Sequence, residues 1–252
     1  MSDRLHVQVT ERVATVTLND PKRRNALDIA LCDDISSAFD DLEARDDVGA
    51  AVVTGTPPAF CAGADLSQLA SPSPEALQAI YEGFLRIGRS PLPTVAAVNG
   101  PAVGAGMNLA LVCDLRLAGA SARFESRFLQ LGVHPGGGHT WLLSRAIGSS
   151  AAHAMVMFGE PLTAADAERH GLVWRAVADD ELLPCARELA ARVASLPREL
   201  VDRATGTFES MATVTAHDEA VRRELEPQLW SFRQPAFQER LRALRERIAA
   251  TS

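Results

Sequence analysis

The chain has 252 residues, 47% of them hydrophobic, enough for one large domain or a domain with a small appendage. Its net charge of −7 and pI near 5.4 argue against a surface that tracks nucleic-acid phosphates, although Lys22, Arg23 and Arg24 form a local basic patch suited to a small polyphosphate. Cys32, Cys61, Cys113 and Cys185 form no CxxC pair and no His stands at metal-ligand spacing, so they read as reduced thiols of a cytoplasmic protein, with no metal site.

The start of the chain is polar and runs directly into alternating residues, which is not the pattern of a secretory signal. Leu5 to Thr10 and Val13 to Leu18 alternate around Glu11-Arg12 as a half-buried hairpin would. Leu27, Leu31, Ile35, Ala38 and Leu42 then recur at helical spacing, and Ala50 to Thr54 is a short buried strand ended by Gly55 and Pro57-Pro58. A polar loop from Ser71 to Pro74 leads into a helix over 75–89, with Leu77, Ile80, Phe84 and Ile87 along one face. Pro93 to Val98 is a second buried strand, Gly104 to Val112 a short helix, and Leu115 to Ala118 a further strand. Strands that recur with helices between them favour an α/β fold.

From Gly138 the pattern turns helical: 140–147, 150–158, 163–170, 180–194, 218–232 and 235–248. Thr163 is suited to an N-cap and Gly171 to a stop. Leu196-Pro197 reads as a hinge, which divides the chain into a core over 1–195 and a helical region over 196–252. No uninterrupted apolar run of about 18 residues predicts a membrane span.

Two stretches carry the functional signal: FCAGADL at Phe60 to Leu66, and PTVAAVNGPAVGAGMNLALVCDL at Pro93 to Leu115. In each, an apolar, strand-like run breaks into small residues and enters a helix, which leaves backbone N–H groups directed at open space. The second stretch matches the crotonase signature, that of the enoyl-CoA hydratase and isomerase superfamily, in Asn99-Gly100, the small trio Gly104-Ala105-Gly106 and Cys113-Asp114. FCAGADL is similar to the family's first oxyanion segment. NDPKRRNALD at Asn19 to Asp28, LGVHPGGG at Leu131 to Gly138 and GEPLTAADAERHGLVWRAV at Gly159 to Val177 extend the resemblance over nearly the whole chain.

The resemblance implies a spiral of ββα units, with the C-terminal helices used for trimerisation in a homotrimer or a dimer of trimers. It implies an acyl-CoA substrate, coenzyme A being part of that substrate and no separate cofactor being needed. The N–H groups of Ala64 and Ala105 would form the oxyanion hole. Backbone around Ala62, Ala64 and Leu66 would meet the adenine, and Arg23 and Arg24 would lie near the phosphates.

At the reacting end the sequence departs from the family. Its hydratases work with two glutamates; the first falls on Asn108, which cannot accept a proton from water at neutral pH, and the second on Phe128. An isomerase version uses an acid just after the equivalent of Pro135, where this chain has Gly136. His134, held extended before proline in the loop that lines the family's acyl pocket, is either a replacement proton-transfer group or a surface loop histidine. Glu125 and His139 are further candidates, the first only with a shifted backbone and the second across the glycines, but Glu125 is expected to pair with Arg123 or Arg127 on the surface and His139 to face solvent in the first turn of a helix. Asp65 and Asp114 are expected to fix turns or cap N–H groups. Met107 and Phe128 are either the apolar wall of an acyl pocket or ordinary core.

These residues leave open an acyl-CoA enzyme of fatty acid metabolism, nominally an enoyl-CoA hydratase (a lyase) with Asn108 and His134 near the reacting carbons, an isomerase-type enzyme using His134, and a non-hydrating acyl-CoA binding protein. The Gly104-Ala105-Gly106 trio lacks GxGxxG spacing for a dinucleotide, and no GxSxG elbow signals a serine hydrolase.

Overall fold

The computed structural model describes residues 3–65, 67 and 73–251. Two compact units divide the chain, Met1–Ala194 and Ser195–Ser252.

In the first unit, β1 (Leu5–Thr10) and β2 (Val13–Leu18) form the expected hairpin, and β3 (Ala50–Gly55), β4 (Thr94–Val98), β6 (Leu115–Gly119) and β9 (Arg175–Val177) extend it into one sheet of order β1-β2-β3-β4-β6-β9. β1 pairs antiparallel to β2, and every later pairing in this sheet is parallel. The central strands β3 and β4 are buried at every position because helices cover both faces, whereas edge strand β1 alternates. The hairpin turn needs positive φ at Glu11 and Arg12, 51° and 65°, with neither a Gly nor an Asn to favour it. Arg12 offsets that cost through its guanidinium, which donates to the carbonyls of Ala194 (3.0 Å) and Asp46 (2.9 Å).

On one face α1 (Ile29–Glu43) packs against α2 (Pro74–Gly88), with Leu31, Ile35, Phe39 and Leu42 meeting Ile80, Phe84 and Ile87 in the main core. On the other, α6 (Asp179–Ala194) lays Leu182, Ala186, Ala190 and Ala194 over Val13, Ala50, Val52, Val95, Ala97 and Leu117. The caps follow the local chemistry: Asp28 accepts the Leu31 N–H for α1, and Thr163 with Asp166 forms a capping box for α5 (Ala164–Arg169). Gly171 follows α5 at φ 76°, as its reading as a stop requires.

A second sheet, β5-β7-β8, comprises β5 (Pro101–Val103), β7 (Arg123–Glu125) and β8 (Leu162–Thr163). The sequence reading missed these strands and β9, since two or three residues are too few to show a period. The two helices expected over 140–158 form α4 (His139–Met157), broken at Gly148 by a non-helical φ of 77° and ψ of 166°. The second unit contains α7 (Arg198–Met211), α8 (His217–Phe232) and α9 (Pro235–Thr251), of which α7 was not anticipated. Among the described residues no helix is long and apolar enough to cross a membrane.

Asn25 clips the first motif to the sheet. Wholly buried at φ 59°, it donates through Nδ2 to the carbonyls of Thr56, Ala59 and Phe60 (2.9, 2.8 and 3.2 Å) and accepts the Asp20 N–H (2.8 Å). Asn25→Ala strands these groups away from water and removes a side chain that tolerates the left-handed conformation. The expected cost is about 2–4 kcal/mol, a fall in Tm of roughly 5–15 °C, read by thermal unfolding; an unchanged Tm would contradict this account.

Candidate active site

The two motif stretches meet through their backbones. Cys61 N–H donates to Pro101 O (3.1 Å) and Cys61 O accepts from Val103 (3.0 Å); on the other edge, Leu27 N–H donates to Gly63 O and Asp65 N–H to Leu27 O, both 2.8 Å. Residues 63 and 65 thus bond to the Leu27 side. By strand alternation, Ala64 N–H faces away from it. A Cβ at Gly63 would lie 2.7 Å from Val103 O and 3.7 Å from Ala105 N, so the Ala64 and Ala105 segments are immediate neighbours.

Ala105 opens α3 (Ala105–Leu111), whose N-cap, Gly104, has no side chain to cap with. Gly104 O accepts from Met107 (3.0 Å) and Asn108 (3.1 Å), while no acceptor meets Ala64 N–H or Ala105 N–H among the described residues. The close approach depends on Gly106, where a Cβ would stand 2.1 Å from Cys61 O.

The expected coenzyme-binding segments also come together, since Ala62 N–H donates to Arg24 O at 3.0 Å. Arg23 is already occupied by three carboxylates, Asp20 (2.7 Å), Asp28 (2.9 Å) and Asp65 (2.8 Å). Arg24 is exposed and its guanidinium meets no partner among the described residues, which makes it the freer of the two. Leu66, and Ser71 and Pro72 of the expected loop, lie outside the described residues. Asp65 also accepts from Ser67, and Asp114 accepts from both N and Oγ1 of Thr94, as expected of residues that fix turns.

Asn108 is 1% exposed and both ends of its amide are engaged: Nδ2 donates to Gly136 O (3.0 Å), and Oδ1 lies 2.7 Å from His139 Nδ1. Because Oδ1 can only accept, Nδ1 carries the ring proton. Nε2 is then the acceptor, facing Ser126 Oγ at 2.9 Å. Three buried groups therefore form one chain, from Ser126 through His139 to Asn108. Burial pushes the His139 pKa down to about 4, so the imidazole is neutral at physiological pH. Phe128 packs against its ring, with centroids 4.8 Å apart.

The loop before α4 explains how His139 reaches this place. Gly137, at φ 65°, turns tightly where a Cβ would lie 2.5 Å from the Phe84 ring and 3.1 Å from Asn108 Nδ2. The chain thus wraps α2 and α3 and delivers residue 139 inward.

The expectation that His139 faces solvent is overturned: it is 1% exposed. His134 lies on the exposed loop, where its Nδ1–H donates to Pro135 O at 2.7 Å. Glu125 pairs with Arg127, as expected. Met107 is fully buried in the core, and Phe128 is half-buried against His139. Ser126 and Tyr81, whose hydroxyl occupies the space a Cβ at Gly136 would fill, escaped sequence reasoning. Nothing around Ser126 in the sequence signals it; its role depends on residue 139 returning to α3. Among the described residues, no three His, Cys, Asp or Glu side chains gather as a metal site.

The buried histidine links stability to pH. Its folded pKa is about 4 against an ordinary 6.5, so between these values the unfolded chain binds a proton that the folded chain refuses. Stability from this group is therefore complete above pH 6.5 and falls as the pH drops towards 4, by roughly 3 kcal/mol. His139→Gln should flatten the corresponding part of the stability curve, measured by urea unfolding at several pH values. An unchanged slope would show that His139 does not set it.

Comparison with known proteins agrees with this geometry. Residues 8–250 match the family model described as Enoyl-CoA hydratase/isomerase. A Mycobacterium tuberculosis protein named "Probable enoyl-CoA hydratase EchA14" is 45% identical over 254 residues, covering 97% of this chain and 98% of its own. The crystal structure of enoyl-CoA hydratase from Bacillus anthracis superposes with a TM-score of 0.91 at 28% identity, covering 97% of each chain. The solved structure of Pseudomonas aeruginosa PA4980 superposes with a TM-score of 0.82 at 37% identity, covering 89% of this chain and 99% of its own. With two unpaired N–H groups side by side at its signature turns and a family match along nearly its full length, this chain belongs to the enoyl-CoA hydratase/isomerase family, the crotonase superfamily.

Proposed function

We propose that the protein binds an acyl-CoA thioester with the carbonyl oxygen between the N–H groups of Ala64 and Ala105, as an acyl-CoA enzyme whose nominal reaction is enoyl-CoA hydration in fatty acid metabolism. The observation that carries this reading is the pair of unpaired backbone donors on adjoining segments. A thioester carbonyl gains negative charge as it becomes enolate-like, and fixed donors in a dry site strengthen as that charge develops. Each such donor contributes about 3–4 kcal/mol to the transition state. Arg24, Ala62 and the backbone beside Leu66 are the coenzyme side of this reading, with Arg23 holding the turn that presents Arg24.

Hydration also needs a base for water and an acid for the α-carbon. Asn108 supplies neither, and Phe128 cannot. The absence of each positioned group costs typically about 100- to 10,000-fold, so hydration by this chain should be slow. His134 is the solvent-side proton group in an isomerase-type variant of the reading. The exposed apolar side chains of the second unit, Phe208, Leu225, Leu229 and Phe232, support assembly into a homotrimer or a dimer of trimers. Burial pushes the thiols of Cys32, Cys61 and Cys113 up to about 12, in keeping with unreactive cysteines of a cytoplasmic protein.

A second reading, a non-hydrating acyl-CoA binding protein, is favoured by one observation: both ends of the Asn108 amide are already bonded, leaving it no polar atom dedicated to a water. Loss of enoyl-thioester absorbance on mixing with short- and long-chain enoyl-CoA separates the two. Turnover lost in His134→Ala favours the isomerase-type variant, and binding without absorbance change favours the second reading. Gly106→Ala should abolish acyl-CoA binding in calorimetry, because a methyl group there pushes α3 off the Cys61 carbonyl and separates the donors; undiminished binding would sink the proposed oxyanion hole.

A further inference from the structure

Ser126, His139 and Asn108 stand in the order of nucleophile, base and orienting group. Ser126 Oγ is 2.9 Å from His139 Nε2, and His139 Nδ1 is 2.7 Å from Asn108 Oδ1. Gly136 O holds the Asn108 amide from behind at 3.0 Å, which fixes the side of the amide that faces the ring. The resulting tautomer has its proton on Nδ1 and its lone pair on the serine hydroxyl, the state a general base must start from.

These groups flank the turn that carries the Ala105 donor. Glu125 O accepts the Gly104 N–H at 2.9 Å, Ser126 is the next residue, and its carbonyl oxygen is 3.7 Å from where a Cβ of Gly104 would be. Asn108 lies on the same helix as Ala105, one turn on. A hydroxyl with its base, on the residue after the one that bonds Gly104, brings to the turn of the Ala105 donor the kinds of group that acyl transfer requires.

We propose that Ser126 is a nucleophile and that this site hydrolyses acyl-CoA thioesters through an acyl-Ser126 intermediate, an inference that rests on the acyl-CoA binding proposed above. Ser126 Oγ attacks the thioester carbon as its proton passes to His139 Nε2, and the oxyanion forms against Ala64 and Ala105 N–H. Collapse breaks the C–S bond, and the proton on Nε2 goes to the departing thiolate. Water then attacks the ester carbon, giving a proton to Nε2; the C–Oγ bond breaks and Ser126 regains that proton. The products are a carboxylic acid and free coenzyme A thiol.

Asn108 acts as a positioning residue, holding the tautomer without supplying charge. The groups that face the imidazole are Asn108 from α3 and Ser126 and Phe128 from the segment after β7, none of them charged, while α2 contributes Tyr81 against Gly136 and Gly137. Among the described residues no charged group meets the imidazole, so the developing imidazolium is compensated by the oxyanion.

The test follows thiol release from saturated acyl-CoA with a chromogenic disulfide, beside calorimetric binding of the same compound and mass spectrometry of acid-quenched protein. The expected result is steady thiol release, an acyl mass increment on the peptide bearing Ser126, and at least about 1000-fold slower release in Ser126→Ala. Asn108→Asp should move the acidic limb of the kcat/KM profile to higher pH, because a carboxylate behind Nδ1 raises the histidine pKa; a purely structural Asn108 would leave the limb in place. If Ser126→Ala fails to fold by thermal unfolding, the adduct on the unaltered protein decides. Binding without thiol release or adduct overturns the hydrolase inference and leaves the acyl-CoA reading standing. Absence of binding overturns both, and release unchanged in Ser126→Ala overturns Ser126 as the nucleophile.

Discussion

The constraint on which the rest depends is the contact between two backbone segments, Cys61 to Ala64 and Val103 to Gly106. The first segment spends its hydrogen bonds on both edges, 61 with β5 and 63 and 65 with Leu27, which turns Ala64 N–H away from Leu27. Small residues are not incidental there. The helix that carries Ala105 meets the Cys61 carbonyl where Gly106 has no Cβ, and the parallel strands β3 and β4 hold the two segments at matching ends of the sheet. Side chains elsewhere, Asn25 beneath the first segment and Asp114 bonded to β4, keep these backbones from drifting.

The sequence shows this frame clearly because it is built from local signals: apolar runs, small-residue breaks and caps at Asp28 and Thr163. The short strands β5, β7, β8 and β9 stayed hidden, since two or three residues carry no period. α7 stayed hidden as well, its span mixing Gly206 with Thr205 and Thr207 and offering a weak helical signal. The site divides along the same line. Asn108 and Phe128 were singled out because motif spacing draws attention to their positions. The partnership of Ser126 with His139 was not, because it joins residues 13 apart across a loop whose left-handed turns at Gly137 and Gly138 reverse the direction that simple helical extrapolation assigns to His139.

His134 and His139 illustrate the physical difference. They flank the same glycine run, Gly136 to Gly138, and in a sequence each is simply a histidine near a pocket. The structure surrounds one with water and bonds it to its neighbour's carbonyl, and encloses the other among Asn108, Ser126 and Phe128. Burial decides the charge of His139: an enclosed imidazole without a carboxylate partner stays neutral, because nothing repays the loss of hydration that protonation would entail.

That neutrality bears on which chemistry the site favours. A pair of carboxylates in a dry pocket must be kept poised against desolvation, one charged and one protonated, to move water onto a substrate. The Ser126, His139 and Asn108 chain carries no charge at rest and so has no such cost. In the proposed acyl transfer, charge would appear only when a proton leaves Ser126, and then in two places at once, on the imidazolium and on the substrate oxygen proposed to face Ala64 and Ala105. Each stabilises the other at short range where the effective dielectric is low. A site of this kind is weak at activating water against an alkene and better matched to a reaction whose first step creates an oxyanion, which is what attack on a thioester carbonyl does.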